Sequence, residues 1–182
     1  KSTGAGGDPW VYKAEYNRRL MELVEARKEK IRRGEKSPTD YRIKNSAEFL
    51  SALKEQHVEI FAASGTDHPD VVNETEILGL SGYFKEIAGA PPDRVDCSKK
   101  AVLSKLIREH RLQGREVAVI GDGKVEIGLG REAGAITLGV ASDEDKLCGI
   151  NPTKRARLIK AGAHAIVGDF GQTGELLEWM GF

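Results

Sequence analysis

Asp122 and Glu126 stand four residues apart in the stretch Val-Ala-Val-Ile-Gly-Asp-Gly-Lys-Val-Glu-Ile, residues 117–127. The apolar run Val117 to Ile120 reads as a buried strand, Gly121 lets the chain turn sharply, and a helix starts just beyond. Two carboxylates at the mouth of a strand lose solvation and repel each other unless a cation lies between them. A hard divalent ion, magnesium with its water shell, is the natural occupant, and its chemistry is phosphate handling. Two more groups suit that chemistry. Ser64 ends another apolar run, and its hydroxyl, with the backbone N–H groups of Gly65 and Thr66, could bind phosphate oxygens. Lys99 opens a helical stretch 22 residues before Gly121. Its ammonium could neutralise a phosphoryl group and the nearby carboxylates.

The elements that must position these groups alternate. From Pro9 to about Arg33 the apolar residues Trp10, Ala14, Leu20, Leu23, Val24 and Ile31 recur at helical spacing, with Asp8 as N-cap and Gly34 as the stop. Residues 36–44 are a polar connection. From Asn45 onward the pattern predicts a helix capped by Ser46, a strand over 58–63, a tight loop over 64–67 and a helix over 71–80. A short extended piece over 83–88 follows, then a helix over 99–110, a strand over 117–120 and a helix over 125–133. The remainder reads as a strand over 135–140, a helix over 153–161, a strand over 165–167 and a helix over 173–180. This βαβα order predicts an α/β fold with a parallel sheet flanked by helices. Ligands in such sheets bind beyond the carboxyl ends of the strands, where Ser64 to Asp67 and Gly121 to Glu126 fall. The expected division is a lead-in and helical segment over 1–44 and an α/β core over 45–182.

Composition bounds the partners. The 182 residues carry 28 basic and 28 acidic side chains, which argues against a dedicated nucleic-acid or membrane surface. No apolar run approaches the ~20 residues of a membrane span. Cys97 and Cys148 have no CxxC partner, as expected of reduced thiols in a cytoplasmic protein. His57, His110 and His164 lack metal-ligand spacing. His68 reads as a turn residue before Pro69. Lys154, Arg155 and Arg157 read as a solvated helix face, and Asp143-Glu144-Asp145 as a solvent-facing loop. Gly121-x-Gly123-x-x-x-x-Gly128 has the wrong spacing for a dinucleotide fingerprint.

The order Ser64, Lys99, Gly121-Asp122-x-x-x-Glu126 resembles motifs two, three and four of the haloacid dehalogenase (HAD) superfamily, most of whose members are magnesium-dependent phosphatases. The resemblance covers roughly residues 45–182. It includes Ser-Gly-Thr-Asp at 64–67, Gly-Val-Ala-Ser-Asp-Glu at 139–144 and Asn-Pro-x-Lys-Arg-x-Arg-Leu-Ile-x-Ala-Gly-Ala at 151–163. It implies that Ser64 binds the phosphoryl oxygen and that Lys99 steadies the nucleophile and the phosphoryl group, with Lys100 as the alternative. It also implies that Asp122 ligates the metal, that Glu126 supports it, and that the helical first third is a cap.

One part of the family pattern is missing. Motif one, a strand followed by Asp-x-Asp, supplies both the nucleophile and the central strand, and no Asp-x-Asp precedes Ser64. The expected core therefore lacks its first strand, leaving two neighbouring strands with open inner edges. The expected function is a truncated or degenerate phosphohydrolase for a small phosphorylated metabolite, with little conventional turnover. The alternative is a non-catalytic binding, regulatory or interaction module that forms a homo-oligomer through those edges.

Overall fold

A computed structural model describes residues 9–91 and 99–182. The chain divides into two compact units, Lys1–Asp40 and Tyr41–Phe182.

The first unit is one long helix, α1 (Pro9–Arg32), closed by Gly34 at a φ of +71° and followed by a 3-10 turn over Pro38–Tyr41. Glu15, Glu22, Glu25 and Glu29 pair with Arg18, Arg19, Arg32 and Arg33 along its surface. Exposed pairs of this kind stabilise a helix only slightly. Val11, Tyr12 and Leu23 are exposed. Asp8, the expected cap, and the Trp10 side chain lie outside the described residues.

The second unit runs α2 (Ser46–Glu55), β1 (Phe61–Asp67), α3 (His68–Ile77), β2 (Glu86–Ala90), α4 (Lys99–Glu109), β3 (Ala118–Gly121), α5 (Lys124–Glu132) and β4 (Ile136–Val140). It continues through β5 (Ser142–Asp143), β6 (Cys148–Ile150), α6 (Pro152–Lys160), β7 (Ala165–Val167) and α7 (Thr173–Met180). Strands β3, β4 and β7 form one parallel sheet with β4 in the middle; β1 and β2 form a second parallel pair; β5 and β6 make a small antiparallel hairpin. This is the α/β architecture expected, with helices over the strands. Phe49 and Leu53 of α2 and Leu176 of α7 bury Leu138 and Val140, and the Phe49 and Phe170 rings stack at 4.7 Å. Leu103 of α4 and Leu129 of α5 pack with Val119 and Ala135 in a second cluster. Ile127, Ala141 and Leu158 tie α5 to α6.

Several boundaries move, each for a local reason. Asn45, not Ser46, is the residue before α2, in a left-handed conformation with no side-chain cap. His57 also adopts positive φ, and Val58 N–H bonds back to Leu53, so ladder pairing begins only at Phe61. That strand then runs through the expected loop to Asp67, and His68 is the first residue of α3, not a turn. The 83–88 piece resolves into a 3-10 turn (Ser81–Tyr83) and β2. The expected solvent-facing loop at 143–145 lies in the β5–β6 hairpin, with Glu144 and Asp145 exposed in its turn and Asp143 ending β5.

Among the described residues, β1 pairs only with β2 and β3 only with β4. Between their free edges lies a cavity of about 530 Å³, lined by Phe61 to Ala63 on one side and Val117 to Asp122 on the other. Phe49, Leu53 and Met180 line it too, as do Leu103, Leu106 and Ile107 of α4. Packed interiors hold few voids larger than a water molecule. The cavity lies where the sequence predicts a strand to be missing.

Candidate functional site

The loop after β3 is built around one buried carboxylate. Gly123 is the N-cap of α5, and its N–H donates to Glu126 Oε1 at 2.8 Å. Glu126 is 6% exposed, so its buried carboxylate is partnered by an orphan N–H at the helix start. The side chain occupies the space that β-carbons at Gly121 and Gly123 would need. Both glycines are therefore part of the carboxylate's seat. The sequence signal for this was the spacing of Glu126 three residues after an N-cap.

Asp122, between the two glycines, is held differently. Its carboxylate is about half exposed, and Oδ2 lies 3.5 Å from Lys154 Nζ. Its carbonyl accepts a hydrogen bond from Arg157 Nη2 at 3.2 Å. Lys154 is not on a solvated face: its side chain is 12% exposed, and Nζ also lies 2.8 Å from Glu144. Arg155 and Arg157 are exposed, as expected, and Arg157 also holds the Asp122 carbonyl. Sequence reasoning missed the burial of Lys154 because Glu144 and Asp122 are far from it along the chain.

At the other strand end, Ser64, Gly65 and Thr66 form a bulge. The register runs Ala63 opposite Ala88 and then Asp67 opposite Ala90, so three residues of β1 face the single residue Gly89. The Ser64 hydroxyl accepts from Thr66 N–H at 3.1 Å, folding the bulge on itself. That bond takes up Thr66 N–H but leaves the hydroxyl its own proton. Lys99 begins α4, which packs against β1, β2 and α5. The Lys99 side chain and Cys97 lie outside the described residues. Lys100 is exposed, and Cys148 is a free thiol.

The structure thus puts Asp122 and Glu126 in one loop on the rim of the cavity, with Ala63, the residue before Ser64, on the opposite wall. Among the described residues there is no group of three metal-ligating side chains. Magnesium keeps much of its water and needs only one or two protein carboxylates plus phosphate oxygens. A half-exposed Asp122 backed by an immobilised Glu126 fits a water-rich ion of that kind. No described helix is long and apolar enough to cross a membrane.

Comparison with known proteins gives the family and the fold. The profile of haloacid dehalogenase-like hydrolases matches residues 12–134. Among solved structures, a predicted phosphatase from Clostridium acetobutylicum superposes with a TM-score of 0.62 at 20% identity, over 74% of this chain and 59% of that one. A haloacid dehalogenase-like protein from Agrobacterium tumefaciens gives 0.63 at 20% identity, over 77% and 61%. A HAD family hydrolase from Deinococcus radiodurans, solved with phosphate and sodium bound, gives 0.59 at 20% identity, over 76% and 60%. The chain therefore spans less than two thirds of the length of these structures. No curated protein sequence matches the chain.

Proposed function

The chain belongs to the haloacid dehalogenase-like hydrolases, and from that premise we propose that it is a magnesium-binding phosphohydrolase-type domain for small phosphorylated molecules, with little conventional turnover of its own. The observation that carries this reading is the Gly121–Glu126 loop. It presents one solvated carboxylate, Asp122, on a cavity rim and spends the other, Glu126, on holding the loop in place. A magnesium ion on Asp122 supplies charge neutralisation to a phosphoryl group. The chain's own residues bind and orient that group. Ser64 donates its hydroxyl proton to a phosphoryl oxygen, Gly65 and Thr66 shape the bulge around it, and Lys99 contributes an ammonium. Residues 1–63 hold no Asp-x-Asp, the pattern that carries the attacking aspartate in the wider family. Without an activated nucleophile, bound phosphate esters are held rather than cleaved. Hydrolysis of p-nitrophenyl phosphate by this chain is expected at the background rate, with or without magnesium. Steady turnover that disappears in Asp122→Asn and on chelation would overturn the proposal.

The cavity between β1 and β3 favours a second reading, in which the domain is an interaction module that accepts an extended segment. Both long walls are free strand edges, which offer backbone donors and acceptors, and the other walls are apolar. An added strand, apolar on both faces, satisfies both. Its source in the homo-oligomer version is a second copy. Light scattering across concentration is then expected to show association. A monomer at every concentration contradicts that version.

A further inference from the structure

We infer that Lys154 is a positioning residue that sets the divalent-cation affinity of the Asp122 loop, by serving as the resident counter-ion of Asp122 and Glu144. The inference rests on the proposed role of Asp122 in metal binding. Lys154 is the third residue of α6, whose N-cap Asn151 accepts its backbone N–H through Oδ1 at 3.0 Å. The stem of the side chain is thereby fixed at a capped helix end. Its side chain is 12% exposed, and its ammonium lies 2.8 Å from Glu144 and 3.5 Å from Asp122. A cation so poorly solvated requires anionic partners. Arg157, one turn on along the same helix face, holds the Asp122 carbonyl. Helix α6 thus grips both the main chain and the side chain of Asp122.

The two carboxylates differ in freedom. Glu144 is 76% exposed in the turn of the β5–β6 hairpin, whereas Asp122 is seated in a glycine-bounded loop. The ammonium sits closer to Glu144, and this leaves Asp122 partly neutralised and partly open. A divalent ion approaching Asp122 meets that positive charge at close range. Glu144 draws the charge away from Asp122, and Lys154 opposes the incoming ion. The affinity of the loop is therefore a balance set by residues that do not themselves touch the metal.

The test is titration of the full chain with Mn²⁺, read by the electron paramagnetic resonance signal of the free ion, in wild type, Asp122→Asn, Lys154→Met, Lys154→Arg and Glu144→Gln. Lys154→Met is expected to bind Mn²⁺ about tenfold more tightly, the scale of repulsion between a monocation and a dication at high dielectric. Lys154→Arg is expected to stay near wild type. Glu144→Gln, an exposed substitution that leaves folding intact, is expected to bind more weakly, because the ammonium then falls to Asp122 alone. Asp122-dependent binding that is unchanged or weaker in Lys154→Met overturns the inference, as does an unchanged affinity in Glu144→Gln. If wild type itself shows no Asp122-dependent binding, the metal role of Asp122 fails instead, and with it the premise.

Discussion

Glu126 and Gly121 fit together only because Gly121 carries no side chain: a β-carbon at Gly121 would stand 2.3 Å from Glu126 Cγ. The carboxylate that caps α5 is therefore wedged against the end of β3, and Asp122 takes its position from that wedge. Gly121→Ala is predicted to cost about 1–3 kcal/mol through overpacking. Glu126→Ala is predicted to cost about 0.5–2 kcal/mol through loss of the cap, with Glu126→Gln milder because an acceptor for Gly123 N–H remains. Thermal unfolding of the three variants checks the order. Equal midpoints for Glu126→Ala and wild type would show that the cap contributes nothing.

A second prediction separates a glycine that is required from one that is not. A β-carbon at Gly89 would lie 2.5 Å from His68 Cα and 2.9 Å from the Thr66 carbonyl oxygen. These are main-chain atoms of the Ser64–Asp67 bulge and of the start of α3, and they cannot swing aside. Gly89→Ala is predicted to destabilise by about 1–3 kcal/mol and to disturb the bulge. Gly128, inside α5, faces open space at ordinary helical φ, and Gly128→Ala is predicted to stabilise by roughly 0.5–1 kcal/mol. Midpoints that move the same way in both variants would contradict the packing argument.

These contacts show what was legible in the sequence. The apolar run at 117–120, the helix at 173–180 and the short strand at 165–167 were readable because period and punctuation agree there. The expectation of an absent central strand rests on a motif not found ahead of Ser64, and among the described residues a cavity lies between β1 and β3. Ser64 to Asp67 read as a loop because Ser, Gly and Thr signal turns, yet a bulge uses the same residues inside a ladder. The hairpin strands, two and three residues long, are too short to carry a period. Lys154 read as solvated because a polar residue on a short helix is usually exposed, and its partners come from other elements. Burial of a charge by tertiary partners leaves no local trace.

Asp169 yields a pH prediction. Gly149 N–H donates to its Oδ2 at 3.0 Å and Gly171 N–H to its Oδ1 at 2.8 Å, which fastens the β5–β6 hairpin to the loop after β7. The Gly149 bond, then the Gly171 bond and the nearby Lys44 charge, hold this carboxyl below the usual aspartate range, against the opposing effect of burial. The folded state therefore binds fewer protons than the unfolded chain near that range. The contribution is complete above the unfolded value of about 3.9 and fades as pH falls through the lower folded value. Asp169→Asn is predicted to lower stability by about 1 kcal/mol at neutral pH. The gap to wild type should narrow below about pH 4. Melting curves from neutral to acid pH that remain parallel would rule this out.

The central claim, that the bulge of β1 and the loop after β3 serve one ion-and-phosphate site, is tested most directly by nuclear magnetic resonance with Mn²⁺ added to the isotope-labelled chain in the presence of inorganic phosphate. Relaxation by the ion is expected to broaden the backbone amides of residues 121–126 and of residues 64–66 together, and to spare both groups in Asp122→Asn. Broadening confined to one loop, or centred elsewhere on the chain, would contradict it.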